Sequence, residues 1–318
     1  MIRSLIAILI ASATPAVADV SFLAMPLDCV LGETCVIEDY PDVDPTSGAS
    51  DYRCGLKTRD GHSGTDFALL SFEQMEEGVR VIAAADGRVE AIRNTRPDQP
   101  YVPGTDLNGE ECGNAVRINH GNGYQSVYCH MKLGSVRVTP GQRVLQGQLL
   151  GEVGLSGLTN YPHLHLTITQ GSEIVDPFAP DQTNACSESR ETLWLDTPRY
   201  SDAGLFTVGV SDAVPDLDTV QSGAARRTTL SPEDAMVLYA HAFHGDAYDR
   251  IDFTMIGPDN REVFTHTARL DEDQAQLMRA YGKRAPDTGW VSGDYRGYVQ
   301  LIRGNTILAV RHADVRVR

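Results

Sequence analysis

Strand-length apolar runs, each closed by a turn rich in glycine, proline or asparagine, recur along most of the chain. The clearest hairpin patterns lie at 79–93, 114–130 and 298–310, where the turns are Asp-Gly, Gly-Asn-Gly and Gly-Asn. These closely spaced runs show no helical period between them. With 29 glycines and 16 prolines among 318 residues, the chain is predicted to be all-β and mainly antiparallel.

Changes in the apolar pattern divide the chain into five predicted segments. We expect a signal peptide at 1–18, a loop-rich segment at 19–54, a β-barrel or sandwich at 55–186, a bridging segment at 187–228 and a second β domain at 229–318. About seven strands in the last hundred residues predict an immunoglobulin-like sandwich for that second domain.

The N-terminus has the organisation of a secretory signal. A basic start is followed by an apolar run at 5–11 and by the small residues Ala16-Val17-Ala18 before Asp19. The apolar run is too short for a permanent membrane anchor. We therefore expect export to the periplasm or the exterior. A net charge of -16 argues against nucleic acid or anionic lipid as a partner.

Six cysteines fit an exported chain, because an even number in an oxidising compartment favours disulfides. Fifteen pairings are possible on paper. Cys112 and Cys129 are expected on two strands of one hairpin, almost opposite one another. A cysteine-based zinc site is the rival interpretation, but the chain has no Cys-x-x-Cys pair. The expected pairs are Cys29–Cys35, Cys112–Cys129 and, by default, Cys54–Cys186.

Histidine and aspartate positions indicate chemistry in the first β domain. His163 and His165 lie two residues apart on a predicted strand, so their side chains share one face. The alternative is a pair of half-buried histidines, each bonded to a backbone carbonyl. His62, Asp66 and His165 can supply three ligands for zinc. His130 and His163 would then remain for proton transfer beside a bound water.

Three motifs, GHSGTD (61–66), YCHM (128–131) and GLTNYPHLH (157–165), together resemble those of the lysostaphin/LytM-type zinc metallopeptidases. The segment 138–151 is also similar, and the resemblance covers about 55–180. It implies an antiparallel β-fold with a groove, one Zn²⁺ per chain and endopeptidase activity, most often on peptidoglycan cross-bridges.

Carried over by position, the resemblance makes His62, Asp66 and His165 zinc ligands and makes His130 and His163 the catalytic pair. We assign His163 as the base and His130 as the stabiliser of the developing charge. The chain departs from the family in two places: Cys129 replaces a small residue, and a polar insertion occupies 94–111, where a groove wall could lie.

The leading hypothesis is an exported zinc endopeptidase that cuts peptidoglycan stem peptides or cross-links. A non-catalytic LytM-like module that activates or binds cell-wall hydrolases is one alternative, and a metallopeptidase acting on proteins is another. The C-terminal domain is a candidate surface for a protein partner.

The other histidines and two aromatic residues are interpreted as structural. His120 is expected to make local hydrogen bonds at a turn. His241 and His244 lie at a strand end and are not expected to form a second metal site. Trp290 and Tyr295 are expected in the core of the sandwich rather than on a sugar-stacking surface.

Overall fold

The computed structural model describes residues 22–182, 186 and 191–318, and these form an almost entirely β protein. The predicted all-β class is therefore confirmed. The predicted signal peptide, 1–18, lies outside the described residues. In the described part of the chain, no helix has the length and apolarity needed to cross a bilayer.

The described residues of the N-terminal half form ten strands and one short helix. They are β1 (Cys35–Asp39), β2 (Thr65–Leu69), α1 (Phe72–Glu77), β3 (Arg80–Ile82), β4 (Gly87–Arg93), β5 (Asn114–Gly121), β6 (Tyr124–Met131), β7 (Arg143–Val144), β8 (Leu149–Glu152), β9 (His163–Gln170) and β10 (Glu173–Ile174).

The C-terminal half contains eight strands and one short helix. They are β11 (Gly204–Ser211), α2 (Leu217–Gln221), β12 (Thr229–Leu230), β13 (Met236–Gly245), β14 (Arg250–Ile256), β15 (Glu262–Arg269), β16 (Gln274–Lys283), β17 (Gly293–Arg303) and β18 (Thr306–Val317).

The large N-terminal sheet has the order β1-β2-β9-β6-β5-β4-β7, with β10 paired to β9. Strand β9 therefore lies near the centre, and its first four residues are buried. Phe67, Tyr128, Leu164 and Trp194 belong to the apolar cluster beneath this sheet. Burial of each such side chain contributes about 1.5–3 kcal/mol. The core thus gives β2, β6 and β9 a rigid framework.

One predicted N-terminal hairpin forms and the other does not. Strands β5 and β6 pair across a turn in which Asn122 and Gly123 have φ of 51° and 83°, as a type I′ turn requires. The hairpin predicted at 79–93 is wrong, because β3 pairs with β8 while β4 pairs with β5 and β7. Between β3 and β4, buried Ala83 exchanges backbone hydrogen bonds with Gln148 and Gly147, so the chain crosses between sheets.

All three expected disulfides are present: Cys29–Cys35, Cys54–Cys186 and Cys112–Cys129. Cys129 lies in β6 as expected. Cys112 lies in the turn before β5 rather than on a strand, which corrects its predicted position. The bond therefore joins a turn to a strand.

Two sheets form the C-terminal half, with the orders β11-β13-β16 and β12-β18-β17-β14-β15. They enclose a second apolar cluster that includes Leu238, Phe253 and Val299, and Tyr295 is buried in it with Trp290 packed alongside. Two sheets that enclose an apolar cluster in this way form a β-sandwich, and an immunoglobulin-like domain stays a prediction. Trp290 and Tyr295 are core aromatics, as expected.

Strand pairing in this half begins earlier than the sequence suggested. β11 lies inside the predicted bridging segment, 187–228, yet it pairs with β13 along its length. Its Leu205 and Val210 join the C-terminal apolar cluster, and their burial favours this pairing of β11 with β13. The division of the chain into domains stays a prediction.

Side chains from both halves meet behind the start of β9. Val36, Ala68 and Tyr161 from the N-terminal half pack with Phe206 and Phe243 from the C-terminal half. The three-stranded C-terminal sheet thus lies against the part of the N-terminal half that carries the predicted site.

Candidate metal centre

His62, in the loop before β2, is buried and held at both ring nitrogens. Nδ1 lies 2.7 Å from the backbone oxygen of Tyr40, to which an Nδ1–H can donate. Nε2 lies 3.0 Å from Asp66 Oδ2. The carbonyl thus selects the tautomer that leaves Nε2 free to bind a cation.

Asp66 and His165 face one another across the pair of strands β2 and β9. His165 Nδ1 lies 2.7 Å from Asp66 Oδ1, while Nε2 lies 2.9 Å from Thr167 Oγ1. When Nδ1 serves as a ligand, Nε2–H can therefore donate to the threonine hydroxyl. Gly64 makes room for this ring, because a Cβ there would lie 2.7 Å from His165 Nε2.

The ligand atoms of His62, Asp66 and His165 all lie within 4.8 Å of one another, and all three residues are buried. Burial opposes ionisation of Asp66, but the neighbouring histidines hold its pKa well below the ordinary value. Two imidazoles and one carboxylate, with outer hydrogen bonds fixing the rings, are a donor set that suits Zn²⁺ with an open position for water.

His130 and His163 lie beside this group, with their ring centroids 4.7 Å apart. His163 Nδ1 can donate to the backbone oxygen of Tyr161 at 2.9 Å. His163 Nε2 is buried without a hydrogen-bond partner and lies 3.6 Å from Asp66 Oδ1. His130 Nδ1 can donate to the backbone oxygen of Ser156 at 2.8 Å.

The surroundings of both imidazoles favour the neutral form. Burial lowers the pKa of His163, and burial together with the charges of His163 and His165 lowers the pKa of His130 well below its ordinary value. Since each Nδ1–H is engaged by a carbonyl, each Nε2 carries the lone pair that can accept a proton. His130 also has a positive φ of 60°, a strained conformation that is common at functional sites.

The structure brings together all five residues that the sequence named, and their roles stay predictions. Sequence reasoning missed the groups that orient them. The carbonyls of Tyr40, Tyr161 and Ser156 leave no trace in a sequence pattern, because any residue can supply a backbone oxygen. Arg59 was also missed, although it lies three residues before His62 and places NH2 3.1 Å from Asp66 Oδ2.

The insertion 94–111 is a loop, as predicted, and lies along 154–159. Gln99 and Tyr101 donate backbone hydrogen bonds to the carbonyls of Leu155 and Thr159, at 3.2 and 2.9 Å. The same segment contains Ser156, so the insertion braces the chain that orients His130. A separate groove of about 540 Å³ opens beside His62.

The remaining histidines lie outside the site. His120 contacts the backbone oxygen of Asp86 and the hydroxyl of Ser126, both at 2.7 Å, as a local hydrogen bonder should. His244 contacts Asp39, and His241 has no hydrogen-bond partner. Among the residues that the structure describes, His62, Asp66 and His165 form the one group suited to a metal ion.

Comparison with known proteins gives a match for the segment that carries the site. Residues 60–177 match the sequence model of Peptidase family M23. Peptidoglycan DD-endopeptidase ShyA of Vibrio cholerae is 38% identical over 104 residues, which cover 33% of this chain and 19% of that protein. Cell division protein DipM of Caulobacter vibrioides is 31% identical over 104 residues, covering 33% of this chain and 15% of that protein.

A solved structure, the catalytic domain of lysostaphin from Staphylococcus simulans, is 22% identical, with 44% of this chain and 85% of that chain covered and a TM-score of 0.29. The chain spans about a fifth or less of the length of the curated relatives that it matches. The predicted resemblance to the lysostaphin/LytM-type peptidases is confirmed, and the segment that matches Peptidase family M23, residues 60–177, includes all five predicted site positions.

Proposed function

We propose that this chain is an exported zinc-dependent endopeptidase that hydrolyses peptide bonds in peptidoglycan stem peptides or cross-links. One observation carries the proposal. A buried His-Asp-His donor set lies beside two further buried imidazoles, and His163 presents an unpartnered Nε2 towards it. A non-catalytic module has no need of such a complete and buried arrangement.

His62, Asp66 and His165 would hold the zinc ion. Bound there, Zn²⁺ supplies Lewis acidity and lowers the pKa of water to about 7. The chain's own contribution is orientation, because Tyr40 and Thr167 fix the rings of His62 and His165. The carboxylate of Asp66 offers one oxygen to each side of the site, Oδ1 towards His165 and Oδ2 towards His62.

His163 is proposed as the general base. A proton accepted at Nε2 produces an imidazolium whose Nδ1–H keeps its bond to the Tyr161 carbonyl, so no rearrangement of the ring is required. His130 has the same arrangement with Ser156. The proton held by His163 can return to the leaving amine, and a proton taken up from solvent at His130 Nε2 would let that ring stabilise negative charge on the substrate oxygen.

The substrate class is inferred from the M23 match and from the relatives described as peptidoglycan DD-endopeptidases. Export is inferred from the signal-like N-terminus, 1–18, and agrees with a chain that forms three disulfides. We further propose that 55–186 acts as the catalytic domain and that the C-terminal half is available to a protein partner.

The test is digestion of intact sacculi by the purified chain, with and without a chelator, followed by mass spectrometry of the released muropeptides. We expect chelator-sensitive loss of cross-linked dimers that added Zn²⁺ restores. His165→Ala should abolish both zinc binding and cleavage. The matched control His120→Ala alters a histidine of the same half outside the site and should retain both.

Two outcomes would replace the proposal. Zinc-loaded protein that leaves sacculi intact but cleaves unfolded proteins would be a protein metallopeptidase. Folded, zinc-loaded protein that cleaves neither substrate would be a binding or activating module.

A further inference from the structure

Asp39 brings a second carboxylate close to the metal-ligand candidate Asp66. It ends β1 and is the register partner of Asp66 in β2. Its side chain is 14% exposed, so little water screens the two carboxylates from each other. An arrangement of this kind persists only when cations or hydrogen-bond donors are fixed around it.

Arg59 lies between the two carboxylates and contacts both. Its guanidinium NH2 lies 3.1 Å from Asp66 Oδ2, and its NH1 contacts Asp39 Oδ2. The Arg59 side chain is 56% exposed, and a long exposed side chain loses conformational entropy when it is held in one position. Asp39 therefore supplies the second contact that keeps Arg59 directed at Asp66.

His244, in β13 of the C-terminal half, fixes Asp39 from the other side. Its Nε2 lies 3.1 Å from Asp39 Oδ1 and 2.6 Å from the backbone oxygen of Glu38. Although burial acts to raise it, the hydrogen bond from His244 and the charge of Arg59 hold the pKa of Asp39 below its ordinary value.

The backbone at His244 is also constrained. Its φ of 51° is unfavourable for a residue with a Cβ. Such a conformation persists where the surroundings over-determine it. The His244 carbonyl accepts hydrogen bonds from Arg303 at 3.1 Å and Lys57 at 3.5 Å, so both the ring and the main chain are held at the interface.

We propose that His244 is a positioning residue for the metal centre, acting through the sequence of contacts His244–Asp39–Arg59–Asp66. The inference rests on the proposed function, because it assumes that Asp66 is a zinc ligand. Through these contacts the C-terminal half completes the outer hydrogen bonding of a ligand carboxylate, and such outer partners commonly change metal affinity 10–100-fold. The C-terminal sandwich is thus part of what makes the site bind its metal.

The experiment measures the zinc dissociation constant of the full chain by competition with a chromogenic chelator. We expect His244→Ala to weaken zinc binding about tenfold and to alter the visible spectrum of the Co²⁺-substituted protein. His244→Gln retains an N–H that can reach Asp39 and should recover most of the affinity. Asp39→Asn, which keeps shape but loses charge, should weaken binding similarly and serves if His244→Ala misfolds.

Two controls separate this route from general loosening of the interface. Arg311→Ala removes a different contact between the halves, the hydrogen bonds of 2.9 and 3.1 Å to the backbone oxygens of Glu33 and Gly32. Arg226→Ala removes the ion pair with Glu73. Both variants should keep the wild-type zinc dissociation constant. In an Arg59→Gln background, His244→Ala should have no further effect, because the route is already broken.

The outcomes are distinguishable. Wild-type chain that binds no zinc would overturn the proposed metal centre and this inference with it. Tight zinc binding by both wild type and His244→Ala would overturn this inference alone. Equal weakening in His244→Ala and in the two controls, or full additivity with Arg59→Gln, would assign His244 a merely structural role.

Discussion

Strands β9 and β13 each carry two histidines in a buried run, and His241 on β13 has surroundings opposite to those of the β9 pair. On β9, the rings of His163 and His165 share one face with Asp66, and their outer nitrogens bond to Tyr161 and Thr167. On β13, the His241 ring packs 4.6 Å from Phe206 and neither of its nitrogens has a hydrogen-bond partner.

The difference follows from spacing and from neighbours. A separation of two residues places both histidines of β9 on one face, whereas a separation of three sends those of a regular strand to opposite faces. Strands β2 and β6, beside β9, add Asp66 and His130. The neighbours of His241 add aromatic rings. Buried histidines therefore become chemically useful only where adjacent strands bring polar partners to the same face.

Replacing one histidine on β9 and one on β13 should give the largest difference in turnover. His163→Ala should keep zinc but lose turnover by about 10²–10⁴-fold, as expected for a general acid or base. His241→Leu should leave turnover unchanged. Muropeptide release and bound zinc, measured on both variants, check this. Retained turnover in His163→Ala would remove that residue from the mechanism.

The disulfide Cys112–Cys129 lies next to β9, whereas β13 and the strands after it contain no cysteine. Cys129 is the register partner of His165, and the Cys112 carbonyl accepts a hydrogen bond from the His130 amide at 2.8 Å. Replacing both cysteines by serine should lower the free energy of unfolding by about 3 kcal/mol and reduce activity.

The matched control is Cys29→Ser with Cys35→Ser, which opens a loop away from the site and should cost about 2 kcal/mol with activity preserved. Urea unfolding and assays at a temperature where both variants are folded separate the two effects. Equal activity in the two double variants would contradict a role for the Cys112–Cys129 bond in placing His130.

His241→Leu should stabilise the protein, because the buried imidazole loses its hydration without gaining hydrogen bonds. We expect about 1 kcal/mol at pH 7.5. Burial lowers the pKa of His241 to about 4, so the unfolded chain takes up a proton first as the pH falls below about 6.5. The contribution of neutral His241 to the free energy of unfolding of the wild type is therefore lost as the pH falls from about 6.5 to 4.

At pH 5 the unfolding free energy of His241→Leu should exceed that of the wild type by about 2 kcal/mol more than it does at pH 7.5. Burial, with the charge of Asp39, raises the pKa of Glu38 to about 7. Glu38 therefore makes the protein more stable as the pH falls, which is opposite to the effect of His241. The measurement is therefore the difference in unfolding free energy between wild type and His241→Leu at several pH values. A difference independent of pH would refute the neutral, buried state of His241.

The smallest expected effect concerns the outer hydrogen bond of β9. Thr167→Val removes the hydroxyl 2.9 Å from His165 Nε2 and should weaken zinc binding about tenfold. Thr167→Ser keeps the hydroxyl and should retain the wild-type affinity. Chelator competition measures both variants. Equal zinc affinities in Thr167→Val and Thr167→Ser would show that the threonine hydroxyl does not contribute to zinc binding.

The sequence alone was sufficient for the all-β class, the three disulfides and the five candidate side chains that the structure brings together. Each of these depends on a local pattern: strand period and turn residues, cysteine number and spacing, or short motifs with histidine and aspartate. The turn at Asn122-Gly123 was predictable for the same reason, since its positive φ values favour those residue types.

Tertiary structure decided the rest. The hairpin expected at 79–93 lost to longer-range pairing of β3 with β8, and β11 joined the C-terminal sheet from within a predicted bridging segment. The tautomers of the site depend on backbone carbonyls, and the contacts from His244 to Asp66 join residues 178 positions apart. A one-dimensional pattern records which groups exist, but only packing of distant segments determines which of them share a low-dielectric space and can act together.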